Sequence, residues 1–325
     1  MTTTTQYYKG YDVLKFILSI FIVAAHTNLL EEFPDIHYAL SMLISGAIPT
    51  FAAISAFLFM SKIDSASSES DKKQILKKHI IRLATIFVFW YIIMLPMTYC
   101  RFFETATIKE TIYAILLSCT FNGYWFFKSL IINTIILFIF RSKKALKILI
   151  VISLLIYIFW SYNYIYGYVN LGFSPYYSFY YHLFYFCSGA LYSRVRWFKN
   201  QKISHMILML ILCLIITCIP PLNPIGRMLY AFILLPLFSK LRFESLTNNN
   251  CKILRTYSIL FYVLQFVLIW IYDMALTNYI PTDTFSIFNN SVVRFTSVLI
   301  VLFIISNFLI RVETTKEIKC LKYLH

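Results

Sequence analysis

Apolar runs of about 17 to 25 residues recur along the whole chain, separated by short polar stretches in which lysine and arginine gather. A run of that length, at roughly 1.5 Å of helical rise per residue, matches the hydrocarbon thickness of a bilayer. The runs are rich in Leu, Ile and Phe and lack the strict alternation of an outer-membrane strand. The pattern predicts an all-α fold: a polytopic integral membrane bundle of about ten transmembrane helices. They fall near 11–30, 38–60, 80–100, 124–140, 145–162, 177–193, 205–219, 225–239, 256–272 and 292–311. The first run has a short polar lead and no small-residue cleavage site, so it is expected to be retained rather than removed as a signal peptide.

Charge gives the orientation. With the N-terminus inside, 24 of the 29 Lys and Arg fall on inner segments and 5 on outer ones. That asymmetry places both termini in the cytoplasm. The net charge of +15 is therefore a topological signal that also attracts anionic lipid headgroups. No nucleic-acid motif accompanies it. A composition 60% hydrophobic and 13% charged excludes a soluble domain. The chain reads as one membrane domain over 1–325, multi-pass in the cell (cytoplasmic) membrane, with no appended soluble module. Its seven cysteines form no CxxC pair and suggest neither a disulfide framework nor a metal site. An apolar piece within Glu110 to Phe127 is too short to span and is expected to be re-entrant or interfacial. No internal repeat is visible, which argues against many transporter architectures.

The first span holds ionisable groups where they are hardest to solvate: "DVLKFILSIFIVAAH", from Asp12 to His26. Lys15 and His26 are eleven residues apart, about 16 Å along a helix and within about 20° of one direction, so they share a face. Asp12, three residues before Lys15, can pair with it. A lysine near a helix end can snorkel to the headgroups, so Lys15 alone reads equally well as an anchor. His26, in the outer third of the hydrocarbon, cannot do so as easily. Such a group faces the bundle interior or a wet cavity, and a neutral imidazole there is able to accept a proton. His182, near the outer end of span six, reads either as a satisfied interfacial histidine or as a second catalytic one.

These residues carry a resemblance. A basic residue, ten intervening positions and a histidine, preceded by an aspartate, resemble the signature of the membrane acyltransferase 3 family. "IPTFAAISAFLF" is similar to its Phe-rich Ser-Gly-Phe-Leu segment, with Ala56 where glycine is usual. "KKHIIRLATIF" resembles its Arg-x-x-Arg entry, with His79 in place of the first arginine and Arg82 retained. "GYWFFKSL" around Trp125, "FYFCSGALY", and "YSILFYVLQ" with Gln265 at a histidine position resemble further elements in the same order.

The resemblance implies an O-acyltransferase that moves an acyl group, commonly acetyl, from cytosolic acyl-CoA to a hydroxyl of a cell-surface polysaccharide or lipid-linked glycan. Acyl-CoA is then a co-substrate and no bound cofactor is expected. Lys15, Lys78, His79 and Arg82 are the candidate acyl-CoA phosphate binders where spans one and three meet the cytoplasm. Lys78 and Arg82 also serve positive-inside anchoring. His26 is the candidate base, with Asp12, Trp125, Ser258 and Gln265 in support. The oxyanion stabiliser is unnamed, with Asn133, Ser258 and Gln265 as candidates. The scheme requires a cavity open to the cytoplasm that reaches His26. The outer tyrosines read as an interfacial belt or as carbohydrate platforms. The alternative class is a transporter or flippase exporting a glycan or lipid-linked sugar, and a third is an accessory membrane subunit.

Overall fold

A computed structural model describes residues 8–98, 107–108, 125–169, 175–195, 200–279 and 290–316. Among them the regular structure is helical, with no strand. The helices are α1 (Lys9–His26), α2 (Pro34–Ser45), α3 (Ala47–Ser65), α4 (Glu69–Thr98), α5 (Trp125–Ile139), α6 (Lys143–Tyr166), α7 (Phe179–Val195), α8 (Ile203–Thr217), α9 (Asn223–Lys240), α10 (Asn248–Tyr279) and α11 (Ser291–Lys316). Among the described residues, five helical stretches are long and apolar enough to cross a membrane: Pro34–Ser65, Lys143–Tyr166, Pro220–Lys240, Asn248–Thr277 and Ser291–Glu313. α5 and α8 are shorter apolar helices, and α1, with Lys9, Asp12 and Lys15 among its 18 residues, is not one of the five. The expected short apolar piece around 110–124 lies outside the described residues.

The chain sorts into two compact units, Ile48–Lys240 and Tyr8–Ala47 with Leu241–His325. In the first, packing is set by small residues. A β-carbon added to Gly189 of α7 would stand 2.0 Å from the carbonyl oxygen of Ala53 in α3, so the backbones meet there. Ala52, Ala53 and Ala56 keep the facing side of α3 equally low, and all are buried. Close backbone approach of this kind is how apolar helices associate where burial from water gives no drive. Phe57 against Tyr192 and Asp64 against Arg194 continue the contact in the same direction, so α3 and α7 run in one sense. α6 runs against α7, since Ser161 meets Tyr181 while Tyr157 meets Phe184 and Tyr185. α6 starts on a Ser142 cap, whose Oγ accepts the Ala145 N–H, and ends on Gly167 at φ 68°, a left-handed position suited to glycine.

One end of this unit is charged. Arg194 grips Asp64 through Nε at 2.9 Å and Nη2 at 2.7 Å, and donates Nη1 to the carbonyl of Arg141. Arg141 and Lys72 share Glu69. Single pairs this exposed are worth under about 1 kcal/mol each, but together they tie α3, α4, α7 and the α5–α6 turn. They surround a cavity of about 440 Å³ lined by Ile63, Asp64, Ala66, Lys72, Ile139, Arg141, Ser142 and Arg194.

The second unit centres on α1, α10 and α11. Val23, Phe261, Ile269, Val298 and Leu302 form its buried core, with Phe16, Tyr257 and Phe303 packed against it. Asp12 meets Arg255 near the start of α1, and His26 meets Phe266 at its end, so α1 and α10 run in the same sense. α11 runs against both, with Tyr257 on Asn307, Phe261 on Phe303 and Asp273 on Arg294.

Candidate functional site

α1 carries its polar groups on an unbroken helix, so the eleven-residue spacing of Lys15 and His26 is the helical one. Asp12 is 3% exposed, and both of its oxygens are taken by one guanidinium: Arg255 Nε on Oδ1 at 2.9 Å and Nη2 on Oδ2 at 2.8 Å. The sequence offered Asp12 a pairing with Lys15 on the same helix; the structure adds a bidentate partner, an arginine of α10. A planar fork matched to a carboxylate is the geometry that makes burying such a pair tolerable. In the sequence Arg255 read only as one more inner cation. Its signal was the need of an aspartate inside a span for an opposite charge.

The first span was expected to run to about residue 30. The helix instead ends at His26: the Thr27 N–H still makes a helical bond to the Val23 carbonyl, but the Asn28 N–H turns to Ala25 and the Leu29 N–H to Ala24, three and five residues back, which closes the end. Beyond it Asn28 and Leu30 take left-handed φ values of 52° and 64°. For a leucine this costs on the order of 1–2 kcal/mol, and the surroundings hold it. The Leu30 N–H donates to Ser291 Oγ at 2.8 Å, while Glu32 accepts from the backbone N–H and the hydroxyl of Ser291. Glu32 thus sits on the positive N-terminus of α11. The Ser291 hydroxyl, then its N–H, hold the Glu32 carboxyl below the usual glutamate range.

His26 therefore stands at a helix end, exposed, with its ring at 4.6 Å from Phe266 and edge-on to it. Among the described residues its nitrogens make no hydrogen bond. Lys15 is half-buried on the same helix. The other donor-site candidates belong to the first unit. Lys78 and Arg82 are exposed and one turn apart on α4, and His79 packs its ring at 5.2 Å from Phe59. None of these five residues lines the 440 Å³ cavity.

The oxyanion candidates differ once their hydrogens are counted. Asn133 spends both amide hydrogens, on Ser129 Oγ at 3.1 Å and on the Phe179 carbonyl at 2.9 Å. It can only accept, which corrects its place among the oxyanion donors. Ser258 donates to the Arg255 carbonyl. Gln265, fully buried, donates one hydrogen to the Tyr262 carbonyl and keeps the other uncommitted among the described residues.

Trp125 falls in the first unit, at the opposite end from its ion pairs. It stacks on His182 with centroids 5.0 Å apart at 27°, and Tyr176 and Tyr181 stand edge-on to the same imidazole. His182 is fully buried, and its Nε2 lies 2.8 Å from the Tyr176 carbonyl.

These arrangements define an all-helical membrane protein with a paired aspartate and an exposed histidine on its first helix. The family model for an acyltransferase domain matches residues 8–311, nearly the whole chain, and the chain belongs to this family, acyltransferase 3; it is a membrane acyltransferase. No curated protein and no solved structure matches it.

Proposed function

We propose that the protein is an O-acyltransferase of the cell membrane that carries an acyl group, acetyl in the simplest case, from cytosolic acyl-CoA to a hydroxyl of a surface polysaccharide or lipid-linked glycan. The observation that carries this is His26: within the family-matched region, its exposed imidazole has both nitrogens uncommitted among the described residues. A sugar hydroxyl is a weak nucleophile and a thioester is an activated acyl donor, so the missing element is a base. The hydroxyl oxygen attacks the thioester carbonyl as His26 takes its proton. Collapse of the tetrahedral intermediate breaks the C–S bond, and the proton passes to the departing CoA sulfur. Lys78 and Arg82 are assigned to the CoA phosphates, with Lys15 and His79 as further candidates. Asp12 and Arg255 position α1.

The ten-span arrangement with both termini cytoplasmic belongs to the same proposal. In its support, α1 and α10 run in one sense and α11 in the other, as expected for spans one, nine and ten. The test is transfer of radiolabelled acetyl from acetyl-CoA to membrane or surface glycan, in cells with wild type, His26→Ala or no protein at matched expression. Label that needs the wild type and is lost in His26→Ala is expected. Equal label in all three would remove the acetyltransferase reading.

A further inference from the structure

Of the 29 Lys and Arg, only five fall on segments expected outside, which makes each of the five worth explaining. Arg294 is accounted for by Asp273, which accepts from its Nη2 at 2.7 and 2.8 Å. Arg227, one turn into α9, is not. It makes no hydrogen bond or ion pair to any described residue, and its Nε is buried. Its place is fixed from behind: the Tyr157 hydroxyl donates to the carbonyl of Pro224, one turn before Arg227, at 2.9 Å. Tyr157 in turn packs against Tyr181 and Tyr185 of α7, at 5.2 Å from each ring. Arg227 lies within electrostatic reach of Tyr176, Tyr181 and Tyr185.

The same region holds further uncommitted polar atoms. A carbonyl can only accept, so the contact of His182 Nε2 with the Tyr176 carbonyl places the proton of the neutral ring on Nε2. Nδ1 is left with a lone pair, and that atom is buried without a partner among the described residues. One turn along α7, the Tyr185 hydroxyl lies near Tyr157 but makes no hydrogen bond of normal length and angle to any described residue. Asn133, bonded to the first turn of α7, presents Oδ1 without a partner among the described residues. An unpaired buried polar atom is costly, and several of them at one end of this unit require an explanation.

We infer that this end of the first unit is an acceptor subsite for an acidic saccharide. Ring hydroxyls match His182 Nδ1, Tyr185 and Asn133 Oδ1, which together supply two acceptors and one hydroxyl of either role. A carboxylate or phosphate on the sugar matches Arg227. The rings of Trp125 and Tyr176 supply flat apolar faces of the kind that pack against a sugar. Arg227 and Tyr176 are both part-exposed, so the group meets the surface at these two residues. The inference rests on the transferase proposal for the ligand's role as acceptor, but not for its binding.

The test uses the full-length protein purified in detergent micelles. Binding of glucuronate, glucose 1-phosphate and glucose is followed by tryptophan fluorescence, with Trp125→Phe as the control that locates the signal. The two acidic probes are expected to bind at least ten-fold more tightly than glucose, and to separate a carboxylate from a phosphate preference. Arg227→Gln should remove that preference while leaving glucose binding in place. Tyr185→Phe, which keeps the ring, should weaken all three several-fold. Thermal unfolding without ligand verifies that each variant is folded. Failure of all probes to bind, or acidic-sugar binding unmoved by Arg227→Gln, would overturn the inference. Equal label in all three cells of the transfer assay, with Arg227-dependent binding intact, would sink the transferase proposal alone.

Discussion

Arg255 holds both carboxylate oxygens of Asp12 across 243 residues of sequence, in a parallel fork with contacts of 2.9 and 2.8 Å. The pair joins the first helix to the tenth at the level where both begin. Truncating Asp12 to alanine leaves a guanidinium about one third exposed, so solvent offsets part of the loss. The expected cost is about 1–3 kcal/mol, read as a lower melting temperature in detergent. Arg255→Lys should recover little of the bidentate contribution. A double-mutant cycle with Asp12→Ala and Arg255→Ala that shows additive losses would remove the coupling.

His26→Ala is expected to lower transfer by about 10²- to 10⁴-fold, the usual contribution of a positioned base. The melting temperature should hardly move, because the ring is exposed and its described contact is one edge of Phe266. Transfer at wild-type rate in a folded His26→Ala protein would reassign the base.

Lys78→Ala with Arg82→Ala should raise the KM for acyl-CoA by about ten-fold or more, with little change in kcat at saturation. Both contacts would be made equally in the ground and transition states. Added salt should mimic the effect in the wild type and not in the variant. A fall in kcat at unchanged KM would count against phosphate binding.

Glu32 ties the loop after His26 to the start of α11, and its two Ser291 hydrogen bonds hold its carboxyl below the usual glutamate range. A lowered folded value means that the charged form stabilises the fold above the unfolded value, and that this contribution is lost as pH falls through the folded one. Glu32→Gln should therefore melt lower than wild type near pH 7, and the gap should close below roughly pH 4. A gap independent of pH would show that shape, not charge, is what matters there.

Gly189→Ala would place a methyl group 2.0 Å from the Ala53 carbonyl oxygen, a backbone atom that cannot turn aside. Overpacking of this kind costs about 1–3 kcal/mol, and Gly189→Leu more, seen as lost folded protein after solubilisation. Wild-type stability in Gly189→Ala would mean that α3 and α7 can part at no cost.

The helical character and the membrane setting were legible in the apolar runs, since nothing else accounts for so many of that length. The same-face spacing of Lys15 and His26 was legible too, because it depends only on helical geometry. The end of α1 was not. A left-handed leucine at position 30 contradicts local preference and is held by Ser291, 261 residues away. Arg255 was hidden among the inner cations that set topology, and the role of Asn133 depends on where its two hydrogens go. His182 was left between two readings. The structure gives it one committed nitrogen and one uncommitted, a distinction no pattern of residues could express.

The ion pair between the two ends of the chain also sets a clock. At roughly 5 to 20 residues per second, synthesis of the 243 residues between Asp12 and Arg255 takes on the order of ten to fifty seconds. For that interval the first helix must wait in or beside the bilayer without the guanidinium that grips its aspartate. A chain stalled or cut before α10 never receives the partner. It leaves an acidic helix without its second anchor at the membrane, the kind of signal by which quality-control proteases tell an unfinished membrane protein from a finished one.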